Sequence, residues 1–336
     1  MKRYVIAILL ILLIVLGLGY YYLLSPFSHV QETTFVYIDS DDTADSVYAK
    51  LEPLSSRHAM TGFTTLARHC GYEKNIRTGR YAIEPGQRTF EVMRRLKNGQ
   101  QQPLRLTVPS VRTTRQMAGR LARKLMVDSL TLASMLTDSA TCAAFGYDTT
   151  TMVCLFIPNT YEVYWDVSAE QLMQRLRKER DAFWTEERLA AANAIGLTPV
   201  EVHTLASIVD EETANDAEKP TVAGLYMNRL RQHIPLQADP TVKFALGDFS
   251  LRRIYRHMLN VESPYNTYRH LGLPPGPIRV ASVAGIDAVL HHATHPYLYM
   301  CANPDFSGTH IFAQTYRQHL KNAQAYSKAL NERGIK

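Results

Sequence analysis

The chain has 336 residues, 46% hydrophobic and 20% charged, which suits a folded protein with room for two modest domains and excludes disorder as its organising feature. Its net charge of +6 comes from 37 Lys and Arg against 31 Asp and Glu. These charges interleave, as in RLRKERDAFWTEERL, so they read as solvated helix faces and exclude a nucleic-acid-binding stripe.

The opening MKRYVIAILLILLIVLGLGYYYLL places Lys2 and Arg3 in a short tail, residues 1–4, ahead of an uncharged run over residues 5–24. As a helix that run spans about 30 Å, the thickness of a hydrocarbon core. The following SPFSHVQE lacks a small-x-small cleavage site, so the segment reads as an uncleaved single-pass anchor in the cytoplasmic membrane. Lys2 and Arg3 then stay inside, Tyr20, Tyr21 and Tyr22 form an outer aromatic belt, and the rest of the chain lies outside. Cys70, Cys142, Cys154 and Cys301 allow three pairings in an oxidising compartment. Their spacing matches neither a zinc site nor a dense disulfide scaffold, so they read as small apolar residues.

A pattern then recurs in FVYIDSDDTADSVYAKL, GRYAIEPGQRTFEVMRRLKNG and LRLTVPSVRTTRQMAGRLARKL. Each is an alternating strand, a turn and an amphipathic helix. The first two belong to a small α+β module over residues 25–103, equally readable as a binding module or a packing unit. The third opens a second domain, residues 104–336. From Val127 to Asn193 helices surround CLFIPNTYEVYW, whose Tyr161, Tyr164 and Trp165 suit either sugar stacking or a core.

LTPVEVHTLASIVDEETAN specifies a helix closely. Thr198 caps it, Pro199 suits the first helical position, and Glu201 completes a capping box. At about 100° per residue Leu205, Ile208 and Val209 share one stripe, and Glu212 lies about 20° from it. Asp210 and Glu211 fall roughly 140° and 120° away, so they are expected to face water. A carboxyl on an apolar stripe resists ionisation and can serve as a general acid. Phase alone leaves open that the stripe ends early and Glu212 emerges into solvent.

Beyond this helix, Asp239 in QADP reads as a turn residue that caps its own backbone, or as a second carboxylate. In YNTYRHLGLPPGPI, hydrogen-bonding and aromatic side chains adjoin a Gly- and Pro-stiffened loop, which suits either a sugar-groove wall or a purely structural loop. His291 and His295 have helical ligand spacing, but no HExxH glutamate accompanies them and Pro296 disfavours helix, so neither a metal nor another cofactor is expected. His310 and His319 suit either substrate or backbone partners.

LASIVDEETA, followed by VAGLYMNRL, LQADPTV, SPYNTYRHLGLPPGPI, HPYLYMCAN and GTHIFAQTYRQHL, resembles in order and spacing the YceG-like family of endolytic murein transglycosylases. The likeness runs from the anchor to about residue 330 and implies an α+β protein with an N-terminal transmembrane helix, a small LysM-like α+β module and an α+β YceG-like catalytic domain. It implies that Glu212, the last acid before the motif's Thr, is catalytic. It also makes Asn228, Gln237, Asp239, Tyr265, Asn266, Thr267, Gly272, Pro274, Gly276 and His310 candidate substrate contacts. This sequence departs from the family in Asp210 and Glu211, where Glu and Lys are common, and in Leu320, where Asn often follows the His.

The reaction so implied cuts the β-1,4 bond between N-acetylmuramic acid and N-acetylglucosamine in peptidoglycan strands, leaving 1,6-anhydro ends. Expected partners are those strands, the membrane and the peptidoglycan synthases, with no nucleic acid. Two other readings stay open. One is a hydrolase using Glu212 with Asp239, whose carboxyls would stand about 5 Å apart for retention or about 6.5 to 9.5 Å for inversion. The other is a non-enzymatic scaffold that binds the wall.

Overall fold

The computed structural model describes residues 2–251 and 254–333. Helix α1 (Lys2–Gly19) runs into a π-helical turn, Tyr20–Leu24. Together they make 23 residues of mean hydropathy 2.6, with none of the apolar window buried against the protein. Among the described residues this is the one helix long and apolar enough to cross a membrane.

The chain forms two compact units. The first contains the chain up to Leu106 with two short returns, Lys124–Val127 and Tyr161–Ser168. Its order is β1 (Thr34–Ile38), α2 (Ala44–Leu51), α3 (Arg57–His69), β2 (Gly79–Ile83) and α4 (Thr89–Asn98). The two strand-turn-helix segments expected from the sequence are present, and α3 is an addition between them. Strands β1 and β2 pair antiparallel, from Thr34 opposite Ile83 to Ile38 opposite Gly79. Helix α2 starts where Thr43 and Ser46 cap one another reciprocally. Val36, Ile38, Phe63, Tyr81 and Leu96 close one core among these elements. At the foot of the anchor Tyr21 stacks on His58, which also meets the Ser25 hydroxyl at 3.0 Å.

The second unit comprises Thr107–Arg123, Asp128–Thr160 and the chain from Ala169 onward. Strand β3 (Leu104–Val108) leads to α5 (Thr114–Ala122), α6 (Ser129–Thr137) and α7 (Ser139–Ala144). The aromatic insert becomes β4 (Asn159–Val163), which begins in this unit and from Tyr161 on belongs to the first; Tyr161 and Val163 are buried by strand alternation while Tyr164 is exposed. Helices α8 (Ala169–Phe183), α9 (Glu186–Ala194), α10 (Pro199–Glu212), α11 (Lys219–Arg231), α12 (Asp239–Leu246) and α13 (Val283–Leu290) follow. An antiparallel ribbon, β5 (Tyr299–Ala302) with β6 (His310–Ala313), and α14 (Tyr316–Glu332) complete the unit.

Helix α10 is the centre of this unit. The Thr198 hydroxyl accepts from Glu201 N and the Glu201 carboxylate accepts from Thr198 N, so the helix starts where its capping box is written. Every residue from Val202 to Val209 is buried, and α9, α11, α12 and α13 pack around it. A helix enclosed on all sides has no solvent face over that stretch. Even His203 is buried, and its Nε2 accepts from Ala281 N at 2.9 Å.

Close packing singles out Gly224 within α11. A Cβ there would collide with the Ala293 carbonyl oxygen and lie 2.8 Å from His295 Nε2. Gly224→Ala should therefore lower the unfolding free energy by about 1 to 3 kcal/mol. Gly119, in α5, has nothing within 4 Å of the same position, so Gly119→Ala should raise it by about 0.5 to 1 kcal/mol. Urea denaturation of both variants checks the pair of opposite signs.

Candidate active site

Glu212 is the last residue of α10, and its Oε1 accepts a 2.6 Å hydrogen bond from the Tyr226 hydroxyl. Tyr226 lies on α11 and is 1% exposed, so a packed side chain holds the carboxyl in place. Glu212 itself is half-buried because it opens onto a cavity of about 330 Å³. Burial pushes its carboxyl up to about 7, and the Asp239 charge adds to the rise. The Tyr226 hydrogen bond and His310 pull the other way and lose to desolvation. Tyr226 is itself shifted well up by burial and by the carboxylate, so it remains a phenol and a donor.

Four elements besides α10 and α11 complete the cavity. Asp239 stands at the first position of α12, and its Oδ1 accepts from the Tyr268 hydroxyl at 2.6 Å. His310 opens β6; its backbone N donates to Glu218 Oε1 at 2.6 Å and its Nδ1 meets Glu218 Oε2 at 2.9 Å. Tyr299 comes from β5, and Tyr316 and His319 from α14. Gln237 adopts a left-handed φ of 52°, a costly conformation for a side-chain residue. Its N donates to Thr267 O and its Oε1 accepts from Arg229, which together hold it against the cavity.

Residues 36–325 match the YceG-like family. The chain belongs to that family. It is 33% identical over 171 residues to an endolytic murein transglycosylase of Bacillus subtilis strain 168, a match covering 50% of this chain and 46% of that protein. A second relative, an endolytic murein transglycosylase of Streptococcus pneumoniae serotype 2, is 24% identical over 301 residues, or 80% of this chain and 54% of that one. A crystal structure of a YceG-like protein from Listeria monocytogenes aligns with a TM-score of 0.59 at 25% identity, covering 87% of this chain and 99% of the other. The chain spans about half the length of the curated relatives it matches.

In this YceG-like chain Glu212, Gln237, Asp239, His310 and His319 meet in one cavity, whereas Asn228, Tyr265, Asn266, Thr267, Gly272, Pro274 and Gly276 stand outside its wall. Asn266 and Thr267 are 0% and 1% exposed and do not face a groove. Asn266 Nδ2 donates to Leu259 O and Val261 O, and Thr267 Oγ1 accepts from Ala238 N, so both build the loop that presents Tyr268 and Gln237. Tyr265 packs on Phe244, Pro274 is buried, and Gly276 seats against the Thr150 carbonyl. Gly272 supplies a left-handed turn with φ 81°. Asn228 Nδ2 donates to His295 O and Tyr297 O. His295 Nε2 donates to Thr221 O, a backbone role.

The Asp239 carboxylate, for which a turn role and a site role both stood open, bonds Tyr268 and lines the cavity. One expectation about the acids is corrected. Asp210 and Glu211 do not face water. The Asp210 side chain is 4% exposed, accepts from Ser282 N and Oγ at 2.6 and 2.8 Å, and pairs with Lys219 at 2.8 Å. Glu211, 12% exposed, bridges Arg112 at 2.8 Å and Arg279 at 3.1 Å. Helical phase located the polar side of α10 correctly, but other elements of the unit cover that side.

Of the aromatic side chains expected in YNTYRHLGLPPGPI, Tyr268 lines the cavity, while Tyr226, Arg229, Tyr299 and Tyr316 line it without having been expected there. A signal existed for Tyr226 and Arg229: three residues apart on one predicted helix, they share a face. Tyr299 of β5 and Tyr316 of α14 carried no such signal, since only the fold brings them to Glu212.

Removing the Asp210 carboxylate leaves the buried Lys219 only the exposed Asp216 and leaves the Ser282 donors unpaired, so Asp210→Ala should cost about 3 kcal/mol. Asp216, 71% exposed, also pairs with Lys219, and its loss should cost under about 1 kcal/mol. Glu212 has the opposite sign. Its folded value of about 7 exceeds the ordinary 4.5, so the folded state holds a proton that the unfolded chain releases. Stability therefore falls as pH rises from 4.5 to about 7 and is level above. Glu212→Gln should be about 1 to 3 kcal/mol more stable than the parent at pH 8, with the two converging near pH 4. Denaturant titrations at the two pH values test this.

Proposed function

We propose that this protein is an endolytic peptidoglycan lytic transglycosylase, a lyase that cuts the β-1,4 bond between N-acetylmuramic acid and N-acetylglucosamine and leaves 1,6-anhydro-muramic ends. The single observation that carries this reading is the Glu212 carboxyl, held by Tyr226 in an open cavity with its acidity weakened to about 7. The names of the relatives support the same class.

One such group can perform both proton transfers. Protonated Glu212 gives its proton to the leaving O4 as the C1–O4 bond breaks. The C6 hydroxyl oxygen then bonds to C1, closing the anhydro ring, and its proton passes to the Glu212 carboxylate. The acid is regenerated without added water. The Tyr226 hydroxyl donates to the carboxylate while it is charged, which steadies the group between transfers. A value near neutrality suits an acid that must also act as a base.

The same reading takes residues 25–103 as a LysM-like module and 104–336 as the catalytic domain. It keeps Lys2 and Arg3 inside the cytoplasmic membrane and the catalytic domain on the outer face. There it would end glycan elongation beside the synthases that extend the strands. A second reading has specific support, because Asp239 lines the same cavity and its charge raises Glu212. A hydrolase would use Asp239 as its second carboxylate.

The full chain in detergent micelles, incubated with purified peptidoglycan, should produce anhydro ends detectable by mass spectrometry. Reducing ends with added water would establish the hydrolase, and binding without new ends would establish a scaffold. Glu212→Gln should lower turnover by about 10² to 10⁴-fold, and a folded variant cutting at the parent rate would remove Glu212 from the mechanism. Asp239→Asn should still yield anhydro ends. Because the acid must start protonated, kcat/KM should decline about tenfold per pH unit above about 7.

A further inference from the structure

Arg229 is 6% exposed, so its charge has been taken almost wholly out of water. Its Nε donates to Leu298 O at 2.6 Å, and its Nη1 donates to Pro235 O, Leu236 O and Gln237 Oε1 at 2.9, 3.1 and 3.1 Å. All four acceptors are neutral. No carboxylate among the described residues stands within ion-pair distance of it. The contrast with Lys219, also buried, is direct: that cation has Asp210 and Asp216 at 2.8 and 2.7 Å. A buried cation normally has a counter-charge, because carbonyl dipoles alone do not repay its lost hydration.

The missing anion has a place to come from. Arg229 forms part of the wall of the cavity onto which Glu212 opens. Its Nε and Nη1 are used by the protein, and Nη2 makes no hydrogen bond to a described residue, so one N–H pair is left for the cavity. The carboxylates already in that cavity are engaged elsewhere, Glu212 with Tyr226 and Asp239 with Tyr268. The ring of Tyr299 lies 5.2 Å from the guanidinium carbon and leaves an aromatic surface beside it. The N–H groups that remain carry the charge of the guanidinium, so they favour an oxyanion over a neutral hydroxyl.

We propose that Arg229 is a specificity-determining residue that receives a carboxylate carried by the glycan, pairing it through Nη2 while Glu212 works on the neighbouring glycosidic bond. This rests on the peptidoglycan reading above. Two sources offer the same chemistry: the free lactyl carboxylate of a strand stripped of peptide, and a carboxylate of the stem peptide.

The test uses full chain in detergent micelles and two strand preparations, stripped and peptide-bearing, each as such and with its carboxylates converted to neutral amides. The parent should cut the charged form of at least one preparation with kcat/KM about tenfold or more above its amidated form, expressed mainly in KM. Arg229→Gln should erase that ratio, and Arg229→Lys should retain part of it. Loss of overall activity alone would fit a merely structural arginine, whereas loss of the ratio would not. The preparation that shows the ratio identifies the source. Equal cutting of charged and amidated strands by the parent overturns the proposal, as does an undiminished ratio in Arg229→Gln. Should that variant fail to fold, an undiminished ratio in Arg229→Lys overturns it equally. Binding of the same strands to Glu212→Gln, read by fluorescence anisotropy, keeps the question separate from catalysis: no cutting of any strand by the parent fails the transglycosylase reading, while a charge ratio in binding still decides the role of Arg229.

Discussion

The cavity of the second unit depends on one contact, the hydrogen bond from the buried Tyr226 hydroxyl to Glu212 at the end of α10. Two effects oppose each other there. Removal from water favours the neutral acid, and the donated hydrogen bond favours the carboxylate. Desolvation wins, but the hydrogen bond limits its margin and leaves the group near neutrality. A carboxyl without Tyr226 would be a weaker acid and a poorly positioned one. A carboxyl without burial would be ionised at neutral pH and would have no proton to give.

The three consecutive acids Asp210, Glu211 and Glu212 show how partners decide a side chain's role. All three are substantially covered, yet only Glu212 lacks a cation within bonding distance among the described residues. Asp210 ties α10 to Lys219 and to the start of α13 through Ser282, with Gly285 leaving room for its carboxylate. Glu211 ties the same helix end to Arg112 and Arg279. These ion pairs hold the last turn of α10 rigidly and thereby aim Glu212. The departures from the family pattern at 210 and 211 therefore fall on structural positions, where charge is matched by local cations.

The cavity combines two tyrosine-held carboxyls, of which Glu212 is the weak acid, with a carboxylate-backed histidine and a guanidinium with only neutral partners. Such an assembly is expensive in desolvation and contributes little to stability, which is the usual character of a functional site. Its wall is drawn from α10, α11, α12, β5, β6 and α14, so no short segment of chain contains it.

The apolar N-terminal helix, the strand-turn-helix units, the start of α10 at its capping box and the phase that turned Glu212 away from its two neighbours were all legible in the order of residues alone. These are local properties, set by hydropathy, cap chemistry and the 100° helical step over a few residues. Only the tertiary structure decided that the polar side of α10 is covered, that Asp239 addresses Tyr268, that Asn266 and Thr267 are spent on the loop's own backbone, and that Tyr226 and Arg229 line the site. The reason is physical: polarity is written in the residue, but whether a polar side chain meets water, a cation or a substrate depends on what the rest of the chain packs against it.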